Sequence, residues 1–293
     1  MAQINFGSIK GLKKNESLAK HTTLGIGGPA DWFCEIKTIP QLIKVVKFCR
    51  RQNIPLLILG DGSNLLVSDK GIRGMVMKVQ SAKRKAQSEK IIAEAGTPLK
   101  KLVQLALENS LSGLEFVVGI PGTIGGAVVG NAGTADKWIG DMIEEVEVLD
   151  QNGEIKKLSG ADCQFGYRGS RFQKTKEIVL RVVLKLKKDS QEKIKQRMAE
   201  IIAKRTNQPK EKSAGSIFKN PKEKPAGWLI EKCGLKGKKI GDAQISPKHA
   251  NFIVNLGQAN CQDVLKLISL VKEKVKRKFG IILDEEIKIV GEF

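Results

Sequence analysis

At 293 residues the chain exceeds a typical single domain of roughly 100 to 150 residues, so two or three compact units with ligand-binding clefts are expected. Its 41% hydrophobic and 28% charged residues exclude a disordered chain, and five scattered cysteines with no C-x-x-C pair exclude a disulfide framework or zinc site. The excess of 51 basic over 31 acidic residues, +20 net, attracts anions, but one Tyr and 5% aromatics leave little to stack nucleic-acid bases.

Met1 to Lys20 carries no apolar run of signal-peptide length, and no stretch approaches ~18 apolar residues, so a cytoplasmic protein without membrane spans is expected. From Pro40 to Gln52, Leu42, Val45, Val46 and Cys49 fall at i, i+3, i+4 and i+7, the stripe of an amphipathic helix. The short apolar runs Leu56 to Leu59 and Met75 to Val79 predict buried strands. Ile91 to Ala95 predicts another, followed by a helix with Thr97 as N-cap, Pro98 at N1, and Leu99, Leu102, Val103 and Ala106 inward. Val146 and Val148 alternate with Glu145 and Glu147, and Asn152-Gly153 signals a hairpin into Ile155 and Leu158. Ile178 to Leu186 is the longest strand candidate. A helix is predicted over about Gln191 to Lys204, leading into a carboxy-terminal unit, and a last one carries Val264, Leu267, Ile268, Val271, Val275 and Phe279 up to Gly280. A closing strand is predicted over Ile281 to Val290. No internal repeat is present.

Two glycine-rich segments interrupt this pattern. Gly60-Asp61-Gly62-Ser63-Asn64 follows an apolar strand, where glycine can turn its amides toward one anion, although ordinary turns are also glycine-rich. The second, Gly119-Ile120-Pro121-Gly122-Thr123-Ile124-Gly125-Gly126, continues to Asn131-Ala132-Gly133. It fits neither the P-loop nor the Rossmann fingerprint, leaving close backbone approach to a large phosphorylated cofactor.

With His21-Thr22-Thr23-Leu24-Gly25-Ile26-Gly27-Gly28-Pro29-Ala30, the segments at 60–69 and 119–133 make the chain resemble the UDP-N-acetylenolpyruvoylglucosamine reductase family over nearly its whole length. The resemblance implies an α+β protein: an FAD-binding fold of the vanillyl-alcohol oxidase type over 1–189, in two parts of about 1–79 and 80–189, then a smaller α/β substrate-binding domain over 190–293, its last strand returning to the first part. It places the FAD pyrophosphate on Gly60, Gly62, Ser63, Asn64, Gly119, Pro121, Gly122, Thr123, Gly125, Gly126, Asn131 and Gly133.

Phe165 to Phe172, Ser213 to Pro221 and Leu283 to Ile287 resemble the family's three catalytic motifs, in order. By that resemblance Arg168 and a protonated Glu286 stabilise an enolate formed when hydride reaches the enolpyruvyl double bond, and Ser216 protonates the adjacent carbon. Tyr167, Lys219, Asn220, Lys236, Gln244 and His249 are the corresponding substrate-binding candidates, His249 reading equally as a surface residue. The implied reaction is NADPH-dependent formation of UDP-N-acetylmuramate for peptidoglycan, by a monomer that binds neither nucleic acid nor membrane. With two histidines in the chain, His21 reads as structural and no metal site is expected.

The chain departs from the family pattern at Asn207 and Lys212, where many relatives carry Lys and Pro. Its only tyrosine is Tyr167, which matches the shorter class without a tyrosine-bearing insertion. Two other readings stay open on sequence: an FAD-dependent oxidase or dehydrogenase acting on another substrate, and a basic RNA-binding module.

Overall fold

The computed structural model describes residues 9–134 and 136–293. In chain order the first elements are β1 (Lys13–Ser17), β2 (Pro29–Ile36), α1 (Ile39–Arg51), β3 (Leu56–Leu59), β4 (Leu65–Val67), β5 (Ile72–Val79), β6 (Arg84–Gln87) and β7 (Lys90–Glu94). Next come α2 (Leu99–Glu108), β8 (Leu111–Ser112), α3 (Ile124–Gly130), β9 (Ile143–Leu149), β10 (Ile155–Ser159), β11 (Ile178–Lys185), β12 (Lys187–Lys188) and α4 (Gln191–Lys204). The remainder holds β13 (Lys212–Ser216), α5 (Ala226–Lys232), β14 (Lys239–Ile240), β15 (Ala243–Ile245), β16 (Phe252–Asn255), α6 (Cys261–Phe279) and β17 (Lys288–Val290).

The chain divides into two compact units. Among the described residues, unit 1 comprises 9–12, Cys34–Asp61 and Met77–Thr206, and unit 2 comprises Lys13–Phe33, Gly62–Val76 and Asn207–Phe293. The expected division at Asp189 therefore moves to Thr206, because α4 belongs to unit 1: Ile194 is buried there, and Arg197 reaches Glu115 at 2.9 Å and Asp189 at 2.6 Å.

Unit 1 contains an antiparallel sheet ordered β10-β9-β11-β7-β6, with α2 and α3 contributing to one apolar core. The alternation read over 143–149 buries Val146 and Val148 completely, as a half-covered strand requires. The hairpin to β10 exists, but its connection is a five-residue loop over 150–154 and not a tight Asn-Gly turn. The Asp150 carboxylate builds it, accepting the N–H groups of Asn152 and Glu154 at 2.9 Å each.

Three further expectations change. Pro98, not Thr97, caps α2, because the Thr97 carbonyl is taken by the Ile124 N–H at 2.9 Å. The glycine-rich segment at 119–133 contains a short helix, α3, that glycine content hid from sequence reading. The closing strand shrinks to Lys288–Val290, since the Glu286 and Ile287 N–H groups both donate to Ile217 O.

Unit 2 places β17 parallel to β4, with Ile289 opposite Leu66, and separately a sheet ordered β13-β16-β15-β14. Its core joins Leu24, Ile26 and Leu66 to α5, α6 and the buried Leu283 and Ile287. The α6 stripe buries Val264, Leu267, Val271 and Val275, and Gly280 ends the helix at φ +70°. A further four-stranded sheet is ordered β1-β2-β5-β3. No cysteine is in a disulfide, and burial pushes the Cys34 and Cys261 thiols up to about 12. No helix among the described residues is long and apolar enough to cross a membrane.

Candidate active site

Gly60 to Asn64 forms the turn between β3 and β4. Only glycine fits at 62: φ is +65° and a Cβ would fall 2.2 Å from His21 O. Thr23 fixes the turn from the other side, its N–H donating to Gly62 O at 3.1 Å and its Oγ1 donating to Ser213 O at 2.6 Å. The His21-Thr22-Thr23 motif thus joins the first glycine-rich segment to the serine motif inside unit 2. Ser63 is partly buried and Asn64 exposed in the same turn.

The second segment is stitched to the β7–α2 connection. Leu99 donates to Gly122 O at 2.9 Å, Ile124 to Thr97 O at 2.9 Å and Gly125 to Ala95 O at 2.8 Å. Thr123 caps α3, its Oγ1 accepting the Gly126 N–H at 3.4 Å. Within unit 1 the two glycine-rich segments meet, since a Cβ on Gly60 would lie 2.6 Å from Thr123 Oγ1. Gly119, Pro121 and Gly126 are exposed, and a Cβ on Gly126 would meet nothing nearer than Thr123 Oγ1 at 3.6 Å. Bare backbone at two touching turns fits a pyrophosphate, whose oxygens need N–H donors at close range.

Three residues of that segment face elsewhere. Gly125 is buried, with its N–H spent on Ala95 and a virtual Cβ 2.8 Å from the Ala95 methyl, so this glycine lets α3 close on β7 and does not face a phosphate. Asn131 ends α3 in the left-handed region, its amide donating to Gly166 O at 2.9 Å and its Oδ1 accepting the Gly140 N–H at 3.0 Å. Gly133 pairs with Trp138 and its carbonyl accepts from Arg168 Nη1 at 3.1 Å. Asn131 and Gly133 therefore brace the arginine turn.

That turn is tight. Gly166 and Gly169 exchange backbone hydrogen bonds of 3.0 and 3.2 Å, with Tyr167 and Arg168 at the tip. Arg168 sits at φ 51°, in the left-handed region that is uncommon for a side chain with a Cβ. Its guanidinium carbon lies 5.2 Å from the Trp138 ring centre and 5.8 Å from that of Tyr167, within cation–π range.

In unit 2, Ser216 ends β13 after a bulge. Ser213 is opposite Val254 but Ser216 is opposite Phe252, so one extra residue is inserted, with Gly215 at φ +75°. The bulge shifts the alternation by one position and puts the serine where regular pairing would put the glycine. Ala214 and Ile217, each 1% exposed, anchor it on both sides. Asn251, buried in the core, clamps the next step: its Oδ1 accepts the Phe218 N–H at 3.0 Å and its Nδ2 donates to Phe218 O at 2.8 Å.

Glu286 is pinned to the same backbone, donating its N–H to Ile217 O at 2.8 Å, while Asn64 Nδ2 donates to Glu286 O at 3.1 Å. Lys219 N–H donates to Asp284 O at 2.9 Å. The fold thus brings Asn64, Ser216, Lys219 and Glu286 together within unit 2, while Arg168 and Tyr167 belong to unit 1.

Of the remaining substrate candidates, Asn220 precedes α5 and Lys236 follows it, Gln244 lies in β15, and His249 precedes β16. Asn220 Oδ1 accepts the Ala226 N–H at 3.0 Å, and Gln244 Nε2 donates to Gly237 O at 3.0 Å. Lys236 pairs with Glu231 at 2.9 Å. His249 is half-buried, its Nδ1 accepting the Asn251 N–H at 3.2 Å, and burial, assisted by the Lys236 charge, holds its pKa below the ordinary value. Sequence reading missed Asn251 and Thr23 as organisers; a buried asparagine ahead of the apolar run Phe252 to Val254 was the available signal. Among the described residues no group of His, Cys, Asp and Glu could hold a metal ion.

Comparison with known proteins matches residues 30–159 to an FAD-binding domain family and 208–290 to the C-terminal domain of UDP-N-acetylenolpyruvoylglucosamine reductase. A UDP-N-acetylenolpyruvoylglucosamine reductase of Caldanaerobacter subterraneus subsp. tengcongensis is 46% identical, with 100% of each chain covered. That of Clostridium kluyveri is 44% identical over 97% of this chain and 94% of its own. The crystal structure of the enzyme of the same name from Thermus caldophilus superposes with a TM-score of 0.83 at 41% identity, covering 95% of this chain and 99% of its own. A cholesterol oxidase at 14% identity covers 63% of this chain and 39% of its own with a TM-score of 0.50, which shows the shared FAD-binding fold alone.

Proposed function

Because the chain belongs to the UDP-N-acetylenolpyruvoylglucosamine reductase family, an FAD-containing oxidoreductase family of peptidoglycan synthesis, we propose that it uses NADPH to form UDP-N-acetylmuramate through Arg168, Ser216 and Glu286. The observation that carries the assignment is the β13 bulge at Ser216, followed directly by Ile217, whose carbonyl accepts the Glu286 N–H. The +20 charge favours capture of three anionic ligands, the cofactor, NADPH and the UDP-sugar.

The chemistry that FAD supplies when bound is hydride transfer between NADPH and the enolpyruvyl double bond. Gly60, Gly62, Ser63, Asn64, Gly119, Pro121, Gly122, Thr123 and Gly126 would hold its pyrophosphate through backbone N–H groups and small side chains. As negative charge grows on the substrate carboxylate, the planar fork of Arg168 and a protonated Glu286 donate hydrogen bonds to it. The Ser216 hydroxyl donates a proton to the ether-bearing carbon as general acid. Tyr167, Lys219, Asn220, Lys236, Gln244 and His249 bind and orient the UDP-sugar. The protein acts as a cytoplasmic monomer.

The test follows flavin absorbance in the purified protein. NADPH should bleach it and the enolpyruvyl UDP-sugar restore it with formation of one saturated product; bleaching that only oxygen or an unrelated alcohol reverses would favour an oxidase of the same fold.

A further inference from the structure

Arg205 follows α4 as its C-cap residue, and its Nη2 donates to Phe116 O at 3.0 Å. Its Cδ and Nη1 lie 3.5 and 3.7 Å from the position a Cβ on Gly119 would take, so the side chain rests directly on the first residue of the Gly119–Gly122 turn. Both residues belong to unit 1. The guanidinium is partly withdrawn from water, and burial lowers its pKa from the ordinary value. Among the described residues no carboxylate lies within ion-pair distance of it. Arg197, two turns earlier on the same helix, shows the contrast: Glu115 and Asp189 neutralise it at 2.9 and 2.6 Å. A desolvated cation without a counter-ion costs free energy that an arriving anion offsets. Four of the five guanidinium N–H donors are spare after the bond to Phe116, and phosphate oxygens are among the anionic acceptors that such a fork matches bidentately.

We propose that Arg205 binds the diphosphate of a nucleotide seated on the Gly119–Gly122 turn. The inference rests on the reading of that turn as a diphosphate seat, and it adds to the backbone donors a cationic side chain from α4 that no glycine motif contains. The shared chemistry is a nucleotide diphosphate; bound FAD, NADPH and the UDP-sugar are its three sources in this reaction.

The experiment uses the holoenzyme and the variants Arg205→Gln, Arg205→Lys and Gly126→Val. It reads the rate of flavin release by fluorescence, KM for NADPH, KM for the UDP-sugar, and the thermal midpoint. Arg205→Gln should raise one of the first three at least ~10-fold, the loss expected for a charge-assisted pair, and the readout that moves identifies the source. Arg205→Lys should fall between Gln and wild type because charge is kept and the fork lost. The gap between Gln and wild type should narrow at high salt. Gly126→Val losing flavin while all three readouts of Arg205→Gln stay within twofold of wild type overturns the role of Arg205 and leaves the seat standing. Gly126→Val keeping full flavin and unchanged KM values overturns the seat and the proposal with it. A drop in thermal midpoint shared equally by Gln and Lys, with no selective change in release or KM, reduces Arg205 to a helix cap and also overturns it.

Discussion

A Cβ on Gly60 would stand 2.6 Å from Oγ1 of Thr123, which makes a missing side chain at one glycine-rich turn the condition for its contact with the other. Gly60→Ala should therefore separate the turns and lower flavin content on purification. Thr123→Ala removes the opposing oxygen at the cost of the α3 cap, about 1 kcal/mol. If the contact is what matters, the double variant should retain more flavin than the two single losses predict together, a coupling that strictly additive losses would deny.

Gly125 and Gly126 are adjacent but should fail differently. Valine at 125 meets the Ala95 methyl and carbonyl at 2.8 and 2.9 Å, overpacking that costs roughly 1 to 3 kcal/mol, so the thermal midpoint should fall by several degrees. Valine at 126 enters open space, so the midpoint should hold while flavin content drops. Calorimetry and the ratio of flavin to protein absorbance separate the two; identical behaviour would mean that neither glycine faces a ligand.

Arg168→Lys keeps the charge but loses the planar fork and its seat on the Trp138 and Tyr167 rings. Turnover should fall about 100 to 1000-fold, the usual loss for one donor to a developing negative charge. A lysine variant within a few-fold of wild type in steady-state kcat would reduce Arg168 to a loop-former.

Ser216→Ala separates the half-reactions. Flavin reduction by NADPH should stay near normal, and reoxidation by the enolpyruvyl UDP-sugar should slow at least ~100-fold in single-turnover absorbance. Ser216→Cys should recover part of the loss. Equal slowing of both halves would point to a damaged β13 bulge instead of a lost proton donor.

His249 gives a pH prediction. Its folded pKa is lowered from 6.5, first by burial, so below about pH 6.5 the unfolded chain binds more protons than the folded one. Stability therefore declines as pH falls from about 6.5 and is independent of this group above it. His249→Gln should remove part of that acid-side decline in urea unfolding measured at pH 5 and pH 8; an unchanged pH dependence would place the decline elsewhere.

The sequence by itself determined the periodic elements and the family. Val45 and Val46 on α1, the alternation of β9 and the α6 stripe ending at Gly280 are local consequences of 3.6- and 2-residue periods, and each is found where the pattern puts it. The glycine-rich segments and the three catalytic motifs were legible as strings. Only the tertiary structure decided what those strings face. Gly125 turns inward to Ala95 and Gly126 outward, and Asn131 and Gly133 brace Arg168, because the direction of a backbone depends on what packs behind it. The Leu283 to Ile287 segment reads as a strand but becomes a loop, since the Glu286 and Ile287 N–H groups find Ile217 O. Arg205 carries no motif; its significance lies in a turn more than eighty residues earlier that folding lays against it. Periodicity is a property of neighbours in the chain, whereas burial, counter-charge and hydrogen-bond direction are set by neighbours in space.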